Sequence, residues 1–439
     1  MPTQKKAITF IHTADIHFGM ANYGRIDHKT GIHTRLLDFK KSLETCINNA
    51  IKNKVDFFLF CGDAYKTATP SPTQQKLLLQ LFLKLQCAGI PIVIIVGNHD
   101  LPASFGKAHS LDIFSDLPLD GLHVVSKPEV IKLNTKNGPI NIAGMPWPTR
   151  HNLVTKEHYR FKNSNELTDH ISEQMGLIIQ NMATSLDPDI PAVLAGHLTV
   201  ANGVFSGSER RAVFGTDPIL LPSQLAIAPF DYVALGHLHR HQNLNKKGKT
   251  PVIYSGSVEA IDFGERRDKK GYCLVSVTQD KRCSYEFISL ATRPMLTIEH
   301  HMESGKNQTE QLVEAINKES INNAIIKIVY HLPKDISDRV DLSVIQKATS
   351  KAVHVASIIP VHLPPTRQRR AQLNNEMNLE ELLTAYLRTK EIKPAKIKDL
   401  LAKAHKMHQK VTGLQPTIET PKQQDKDSNK NPGKTEQCL

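Results

Sequence analysis

The sequence lacks any long apolar run and any close pair of cysteines. No hydrophobic stretch approaches the roughly 18 residues that a membrane-spanning helix requires. The segment Met1–Lys6 leads directly into the strand-like run Ile8–Ile11, which is not the pattern of a secretory signal. The six cysteines are scattered without a C-x-x-C pair, so neither a disulfide framework nor a thiolate zinc site is expected. We therefore predict a protein of a reducing cytoplasm, with no membrane association.

The composition is that of an ordinary globular protein with a basic excess. Hydrophobic residues make up 40% and charged residues 22% of the chain, which excludes a wholly disordered or fibrous protein. Its 439 residues suggest two to three domains at about 150 residues each. The formal net charge of +12 favours a polyanionic partner such as nucleic acid, but only weakly, because many basic proteins bind none.

The first two thirds of the chain alternate short apolar runs with amphipathic segments. The β-α-β-α-β order at the start predicts an α/β domain with a largely parallel sheet. The predicted strands are Ile8–His12, Val55–Cys61, Ile90–Val96, Ile140–Met145, Ala192–Ala195, Tyr232–Leu235, Pro251–Tyr254, Tyr272–Thr278 and Ser284–Ser289. The predicted helices are roughly His33–Asn53, Thr73–Leu85 and Leu167–Met182.

The pattern changes after Thr292. A strand-helix-strand-helix-strand order predicts a small α/β domain. This domain ends at prolines 364 and 365, because proline continues neither a β-ladder nor a helix. Two short amphipathic helices follow in a polar context, and their apolar faces favour a partner surface slightly over packing on the parent domain. The last part is polar and proline-rich, which predicts disorder. The segments of the small domain are Met295–His300, Gln308–Asn317, Ala324–Tyr330, Leu342–Val353 and Val355–Val361.

Five short polar clusters stand at or just after the ends of predicted strands. Ligand sites in open α/β sheets form outside the carboxyl ends of the strands, so this placement itself indicates a site. Glycine before several of the clusters lets the backbone turn sharply. The clusters are Asp15-Ile16-His17, Gly62-Asp63, Gly97-Asn98-His99-Asp100, Gly196-His197 and Gly236-His237-Leu238-His239.

The donor atoms of these clusters suit two metal ions. One ion takes about four to six ligands, so two carboxylates, one amide oxygen and four imidazoles would hold two ions with one carboxylate bridging. Asp63 is the best candidate for the bridge, because it stands alone between the two halves of the set. Oxygen and nitrogen donors without sulfur suit manganese, iron or zinc. The predicted metal ligands are Asp15, His17, Asp63, Asn98, His197, His237 and His239.

A site of this kind favours displacement at phosphorus, because two ions stabilise both the attacking and the leaving oxygen. The leaving oxygen then needs a general acid. His99 fits this role since imidazole titrates near neutrality, and Asp100 beside it could orient the ring. The chain has 21 histidines, so a lone histidine means little. Five clusters in this order, each after an apolar strand, nevertheless predict a dinuclear phosphoesterase.

The series of clusters resembles the calcineurin-like metallophosphoesterase superfamily, over roughly Phe10–Gly264. Four stretches are more specifically similar to the SbcD-type nuclease family, the bacterial counterpart of the meiotic recombination eleven nuclease. They are residues 10–19, Ser208-Glu209-Arg210, Tyr254-Ser255-Gly256-Ser257 and Ile261-Asp262-Phe263-Gly264-Glu265. The resemblance implies an α/β fold: a metallophosphoesterase β-sandwich flanked by helices, a small α/β capping domain and a C-terminal helical pair. The expected boundaries are 1–292, 293–365 and 366–414, with a disordered tail at 415–439.

The resemblance also implies roles for individual residues. One ion would be held by Asp15, His17, Asp63 and His239, and the other by Asp63, Asn98, His197 and His237, with His99 as the catalytic histidine. Lys66 departs from the pattern, because the family tends to carry a histidine or an acidic residue at that position. A lysine there could contact a phosphate of the DNA.

For the whole protein, the resemblance implies a manganese-dependent DNA nuclease that acts in repair, recombination and replication. It would degrade double-strand ends and cut single strands or hairpins. It would work as a homodimer, in a heterotetramer with two SbcC-type SMC-like coiled-coil ATPase subunits, at the nucleoid in a bacterial cytoplasm. Two alternatives remain open: a small-molecule or protein phosphoesterase on the same scaffold, and a non-enzymatic scaffold that recruits the ATPase. The intact ligand set argues against the second.

Overall fold

The computed structural model describes residues 7–102, 106–149, 164–207, 217–334, 336–362, 379–390 and 392–412. The strands are β1 (Ala7–Thr13), β2 (Phe57–Cys61), β3 (Ile92–Ile95), β4 (Leu122–Val125), β5 (Glu129–Thr135), β6 (Gly138–Met145), β7 (Ala192–His197), β8 (Thr199–Val200), β9 (Ile219–Leu220), β10 (Tyr232–Gly236), β11 (Gln242–Asn243), β12 (Val252–Tyr254), β13 (Gly271–Thr278), β14 (Cys283–Ser289), β15 (Met295–His301), β16 (Ile325–Leu332) and β17 (His354–His362). The helices are α1 (Thr34–Lys52), α2 (Pro72–Cys87), α3 (Asp112–Ser115), α4 (Ser164–Ser185), α5 (Pro222–Leu225), α6 (Gln308–Asn317), α7 (Leu342–Ala348), α8 (Leu379–Thr389) and α9 (Pro394–Thr412).

Two six-stranded sheets form a β-sandwich. The first has the order β14-β13-β1-β2-β3-β4 and the second the order β11-β12-β10-β7-β6-β5. Strands β1 to β4 are parallel, as the sequence predicts, and β13 is antiparallel to β1. Apolar side chains from both inner faces pack between the sheets, and the rings of Phe10 and Phe57 stack there at 4.5 Å between centroids.

Helices cover both outer faces of the sandwich. Helices α1 and α2 pack on the first sheet, and α4 packs on the second. All five residues of β2 are buried, because this central strand is covered on both faces. Helix α2 starts with a capping box between Ser71 and Gln74, with Pro72 in its first turn. The predicted sandwich flanked by helices is confirmed.

The predicted elements of this part are confirmed within a few residues. The sequence reasoning missed the strands β4 and β5 and the shorter elements β8, β9, β11, α3 and α5. Strand β5 lies at the edge of its sheet and exposes Glu129 and Lys132, so its pattern is that of a polar segment. Strand β4 is the edge strand of the other sheet, and three of its four residues are only partly buried. Edge strands carry a weaker hydrophobic signal than central ones.

The small α/β domain consists of a parallel sheet, β15-β16-β17, with its own core against α6 and α7. It belongs to the same compact unit as the sandwich, and this unit ends at His362. Arg293 precedes β15 and donates from Nε to Asp38 Oδ2 on α1 at 2.6 Å. Helix α7 ends at Ala348, before the predicted end at Val353. It does not reach Val353 because the backbone N–H of that residue, directly before β17, already donates to the carbonyl of Ala324.

The second compact unit contains the predicted helical pair, as α8 and α9. The described residues do not include the proline pair at 364–365, the tail at 415–439 or the SbcD-like stretch at 208–210. Among the helices that the structure describes, none combines the length and hydrophobicity needed to cross a membrane.

Candidate metal centre

The carboxyl ends of β1, β2, β3, β7 and β10 meet at one end of the sandwich. Strands β1 to β3 are neighbours in the first sheet, and β7 and β10 are neighbours in the second. The sheets are joined there by a hydrogen bond that His197 Nδ1 donates to the carbonyl oxygen of Cys61, at 2.7 Å. This junction brings together all seven predicted metal ligands and His99.

Four of these side chains leave the strands through unusual backbone conformations. The φ angles are +54° at Asp15, +49° at His17, +58° at Asp63 and +102° at His237. Residues other than glycine rarely adopt positive φ, and such strain concentrates at functional sites. Asp15 and His17 therefore do not reach the site along an extended strand. The main chain instead turns back, with the N–H groups of Ile16 and His17 bonded to the carbonyl of Asp63.

Glycine is required where the two sheets approach each other. A Cβ atom at Gly236 would lie 1.9 Å from the carbonyl oxygen of Cys61. Gly62 has a φ of +90°, and a Cβ there would lie 2.3 Å from Nδ1 of His197. A side chain at either position would push the two halves of the site apart.

Asp63 lies at the centre of the site and is almost fully buried. Its Oδ2 atom is 3.4 Å from His197 Nε2 and 3.6 Å from His17 Nε2. Its Oδ1 atom accepts a hydrogen bond from the backbone N–H of His99 at 2.9 Å. The carboxylate thus faces groups from both sheets, which is the position that a bridging ligand needs.

Outward hydrogen bonds fix the orientation of two imidazoles. His197 Nδ1 donates to a carbonyl, and His239 Nδ1 donates to the Glu265 carboxylate at 2.8 Å. In its neutral form, each ring then has its lone pair on Nε2, which points into the site. The Nε2 atom of His239 lies 3.0 Å from that of His17. Nitrogen lone pairs that converge in this way fit a cation between the rings.

The other half of the site is built around Asn98. Its Oδ1 atom lies 2.9 Å from His197 Nε2 and 3.2 Å from His237 Nδ1. The buried Nε2 of His237 makes no hydrogen bond to a described residue, and Asp217 Oδ2 lies 3.6 Å from it. The ring of Trp147 lies 4.8 Å from that of His237 between centroids.

Burial and mutual charge shift the pKa values of these groups in opposite directions. Burial alone would raise the pKa of Asp63, but His197, His17 and His99 together lower it far below its usual value. Burial would lower the pKa of His197, but Asp63 and Asp15 raise it to about 9. For Asp15, burial outweighs the neighbouring imidazoles and raises the pKa to about 7. Perturbed groups that cluster in this way are typical of functional sites.

The neighbours of His99 differ from the expectation. Its Nδ1 lies 2.9 Å from the backbone carbonyl of Lys66, and a carbonyl can only accept, so this atom carries the proton and Nε2 remains for chemistry. The carboxylate of Asp100 makes no hydrogen bond to this ring in the described structure. It accepts instead from the backbone N–H groups of Asp63 at 2.9 Å and Gly97 at 3.1 Å. Asp100 thus holds the turn that carries Asp63, and the Lys66 carbonyl orients His99.

Sequence reasoning missed several neighbours of the predicted ligands: Glu265 behind His239, Trp147, Asp217 and the Lys66 carbonyl. Trp147 follows the end of β6, so the strand-end rule could have found it.

Lys270 is part of a basic cluster in the sequence, yet it is buried and cannot bind DNA from there. A separate group of Glu299, His301 and His331 lies on the β15-β16-β17 sheet, far more exposed than the main site.

The donors fit a pair of divalent cations. Asp15, His17 and His239 offer ligand atoms within 4.8 Å of one another, and so do Asp15, Asp63 and His197. The two groups share the buried carboxylate of Asp15 and involve both sheets. A buried cluster of acceptors and lone pairs would be costly without cations to balance it.

Known proteins resemble this chain over much of its length. The family described as calcineurin-like phosphoesterase matches residues 8–241. The SbcD subunit of the nuclease SbcCD from Bacillus subtilis is 28% identical over 286 residues, which cover 64% of this chain and 69% of that protein. Its namesake from Staphylococcus epidermidis is 27% identical over 293 residues, 66% of this chain and 71% of that protein. A dimetal phosphatase from Danio rerio aligns with 64% of this chain and 99% of its own at 10% identity and a TM-score of 0.37.

Proposed function

Because the chain belongs to the calcineurin-like phosphoesterase family, we propose that it is a manganese-dependent DNA nuclease subunit. It would act as an exonuclease on double-strand ends and as an endonuclease on single strands or hairpins. The observation that carries the proposal is the convergence of seven metal-ligand candidates around Asp63, in a chain similar to the SbcD subunits of two bacterial SbcCD nucleases. The basic net charge of +12 supports a polyanionic substrate.

We assign two divalent ions, Mn²⁺ in the cell, to the two halves of the site. Asp15, His17, Asp63 and His239 would hold one ion, which we call site 1, and Asp63, Asn98, His197 and His237 would hold the other, site 2. Bound ions supply activation of water and charge stabilisation of a phosphodiester. Asp63 would be shared, which explains why its two oxygens face different partners.

The protein's own contribution to the chemistry is a positioned proton donor. His99 has its Nδ1 proton fixed on the Lys66 carbonyl, so its Nε2 would carry the proton that neutralises the leaving sugar oxygen. Asp100 accepts hydrogen bonds from the backbone of both Asp63 and Gly97, so it fixes the position of the bridging carboxylate relative to the loop that carries the proton donor His99. The exposed side chain of Lys66 beside this loop would contact a phosphate of the DNA.

For the assembly, we propose a homodimer bound to two SbcC-type SMC-like ATPase subunits, active at the nucleoid of the bacterial cytoplasm in repair, recombination and replication. The domain boundaries proposed with it are 1–292 for the nuclease, 293–365 for the capping domain and 366–414 for the ATPase-docking segment. Helices α8 and α9 support the docking role, because Tyr386 is 56% exposed and Met407 71% exposed.

A matched assay tests the nuclease proposal. The purified chain with Mn²⁺ is given end-labelled linear duplex DNA in one reaction, and bis-p-nitrophenyl phosphate or a phosphomonoester in others. We expect shortening of the duplex that requires Mn²⁺ and weakens steeply with salt, since binding to DNA releases counterions. Intact DNA beside rapid turnover of the small esters would assign the protein to the other candidate, a small-molecule or protein phosphoesterase.

Removal of the chain from Leu379 onward should separate cleavage from assembly. We expect Mn²⁺-dependent nuclease activity to remain, because the deletion lies outside the unit that contains the metal centre, and ATPase binding to be lost. Binding is measured by gel filtration of the mixed subunits. A full-length chain with Tyr386→Ser and Met407→Ser tests the same surface without removing the helices. An unchanged complex in both cases would assign α8 and α9 to internal packing.

A further inference from the structure

One sequence stretch has no role in the proposed function as stated so far. Ile261-Asp262-Phe263-Gly264-Glu265 follows the histidine pair His237 and His239 in the sequence and ends in a short 3₁₀ helix, Phe263–Glu265. The structure places the side chain of Glu265 directly behind His239, fully buried. Its Oε1 accepts from His239 Nδ1 at 2.8 Å, and its Oε2 accepts from the backbone N–H of Ile261 at 3.0 Å.

A second buried charge completes the arrangement. Lys270 is 2% exposed, and its ammonium lies 2.7 Å from Glu265 Oε2. The same ammonium donates to the backbone carbonyl of His239 at 3.0 Å and to Ser257 Oγ at 2.9 Å. Its three donors are therefore all used. The Glu265–Lys270 pair thus holds both the ring and the main chain of His239.

The same contacts extend to another site 1 ligand. Ser257 donates its backbone N–H to the His239 carbonyl at 3.1 Å, and it forms a bridge with Ala14, the residue before Asp15. His239 follows a strand of the second sheet and Asp15 follows one of the first. The buried pair therefore lies where the site 1 ligands from the two sheets are joined.

We propose that Glu265 and Lys270 are positioning residues that set the ring orientation and tautomer of His239 for the site 1 ion. This inference rests on the proposed dinuclear site. Glu265 accepts the Nδ1 proton, so Nε2 keeps its lone pair toward His17. Lys270 keeps Glu265 charged in a fully buried place and fixes the carbonyl of His239. A carboxylate behind a ligand histidine raises the basicity of the ring and commonly contributes 10- to 100-fold, in order of magnitude, to metal affinity.

The opposing interpretation is a buried ion pair that only stabilises the fold. Charge pairs in protein interiors are often replaceable by apolar residues without loss of stability, so stability alone does not explain why this one is here. The two oxygens of Glu265 have different partners: Oε1 accepts from His239 Nδ1 at 2.8 Å, and Oε2 lies 2.7 Å from the Lys270 ammonium. The carboxylate thus holds His239 as well as Lys270, which a purely structural pair does not require.

The test measures Mn²⁺ binding to the full chain by equilibrium dialysis, for the wild type, Glu265→Gln, and Glu265→Gln combined with Lys270→Met. Glutamine removes the charge at similar size, and the double variant leaves no unpaired buried ammonium. Glu259→Gln is the matched control: Glu259 is also buried and its carboxylate lies near Arg35 Nη1 at 3.8 Å, but no described contact of its side chain is with a candidate ligand. The melting temperature of each metal-free variant is recorded in parallel.

We expect the wild type to bind two ions, and both Glu265 variants to bind one of them about 10- to 100-fold more weakly. The other ion should bind unchanged, as followed by the fluorescence of Trp147, the only tryptophan, which lies beside the site 2 candidates His197 and His237. The double variant should recover melting temperature relative to Glu265→Gln without recovering affinity. Glu259→Gln should keep both affinities.

Three results would overturn the inference. If both Glu265 variants bind the two Mn²⁺ ions with wild-type affinity, the Glu265–Lys270 pair is purely structural. An equal loss of binding in Glu259→Gln would assign the effect to general destabilisation of this segment. A wild-type chain that binds no pair of ions would remove the proposed dinuclear function itself, and this result is distinguishable because it needs no variant.

Discussion

Replacement of His99 by alanine should lower DNA cleavage by about 100- to 10,000-fold, the usual contribution of a general acid. The protein should still bind two Mn²⁺ ions. The backbone N–H of residue 99 keeps its hydrogen bond to Asp63, and the Asp100 contacts that hold the turn do not involve the ring. Only the proton donor at Nε2 is lost. The rate is measured on end-labelled duplex, and the bound metal by elemental analysis.

Substrate choice separates the role of His99 in catalysis from a role in binding metal. A nitrophenolate leaves as a stable anion and needs no proton, so the defect of the alanine variant should be much smaller on bis-p-nitrophenyl phosphate than on DNA. His99 also lies within ligand distance of His17 and Asp63, which makes it a competing candidate for a metal ligand. If the variant loses bound Mn²⁺ together with activity on both substrates, His99 is a ligand and the general acid is another group. His123→Ala, on β4, serves as the control for loss of a histidine elsewhere.

The central strands could be recognised from the sequence because the sandwich covers them on both faces. A run such as Phe57–Cys61 remains apolar at every position, and this pattern survives without knowledge of the partner strands. The same rule explains why β5 was missed, since an edge strand that exposes Glu129 and Lys132 looks like a loop. A tertiary contact, the hydrogen bond from the Val353 N–H to the Ala324 carbonyl, decides where α7 ends. Helical periodicity in the sequence cannot predict such a contact.

The candidate ligands could be predicted for a related reason. Each lies at the end of a strand or within four residues after it, so parallel pairing within each sheet brings the ligands of that sheet to one edge. Their supporting contacts follow no such rule. His99 is oriented by a main-chain carbonyl at Lys66, and a carbonyl has no signature in a sequence. Glu265 lies 26 positions from His239 and meets it only because the intervening chain folds back. Proximity in sequence was misleading for Asp100, which is next to His99 but bonds the backbone of Asp63.

Replacement of Asp63 should have the largest effect of any single change, with loss of both metal ions and cleavage at background. Its two carboxylate oxygens face different groups: Oδ2 lies between His197 and His17, and Oδ1 holds the loop of His99. Asparagine is the cleaner variant, because it tolerates the φ of +58° better than alanine and can still accept from His99. Both Asp63→Asn and Asp63→Ala should bind no Mn²⁺ under conditions that saturate the wild type.

The control for this prediction flanks the same strand, β2, at its other end. Asp56 directly precedes β2, is also buried, and accepts from the backbone N–H of Thr9 at 2.8 Å, at the opposite end of the strand from the site. Asp56→Asn should lower the melting temperature while both ions bind. An Asp63 variant that retains one full equivalent of Mn²⁺ would mean that this carboxylate serves one ion only. The retained site would then be identified by Trp147, whose fluorescence should respond to Mn²⁺ if the ion is the one beside His237 and stay unchanged if it is the one beside His239.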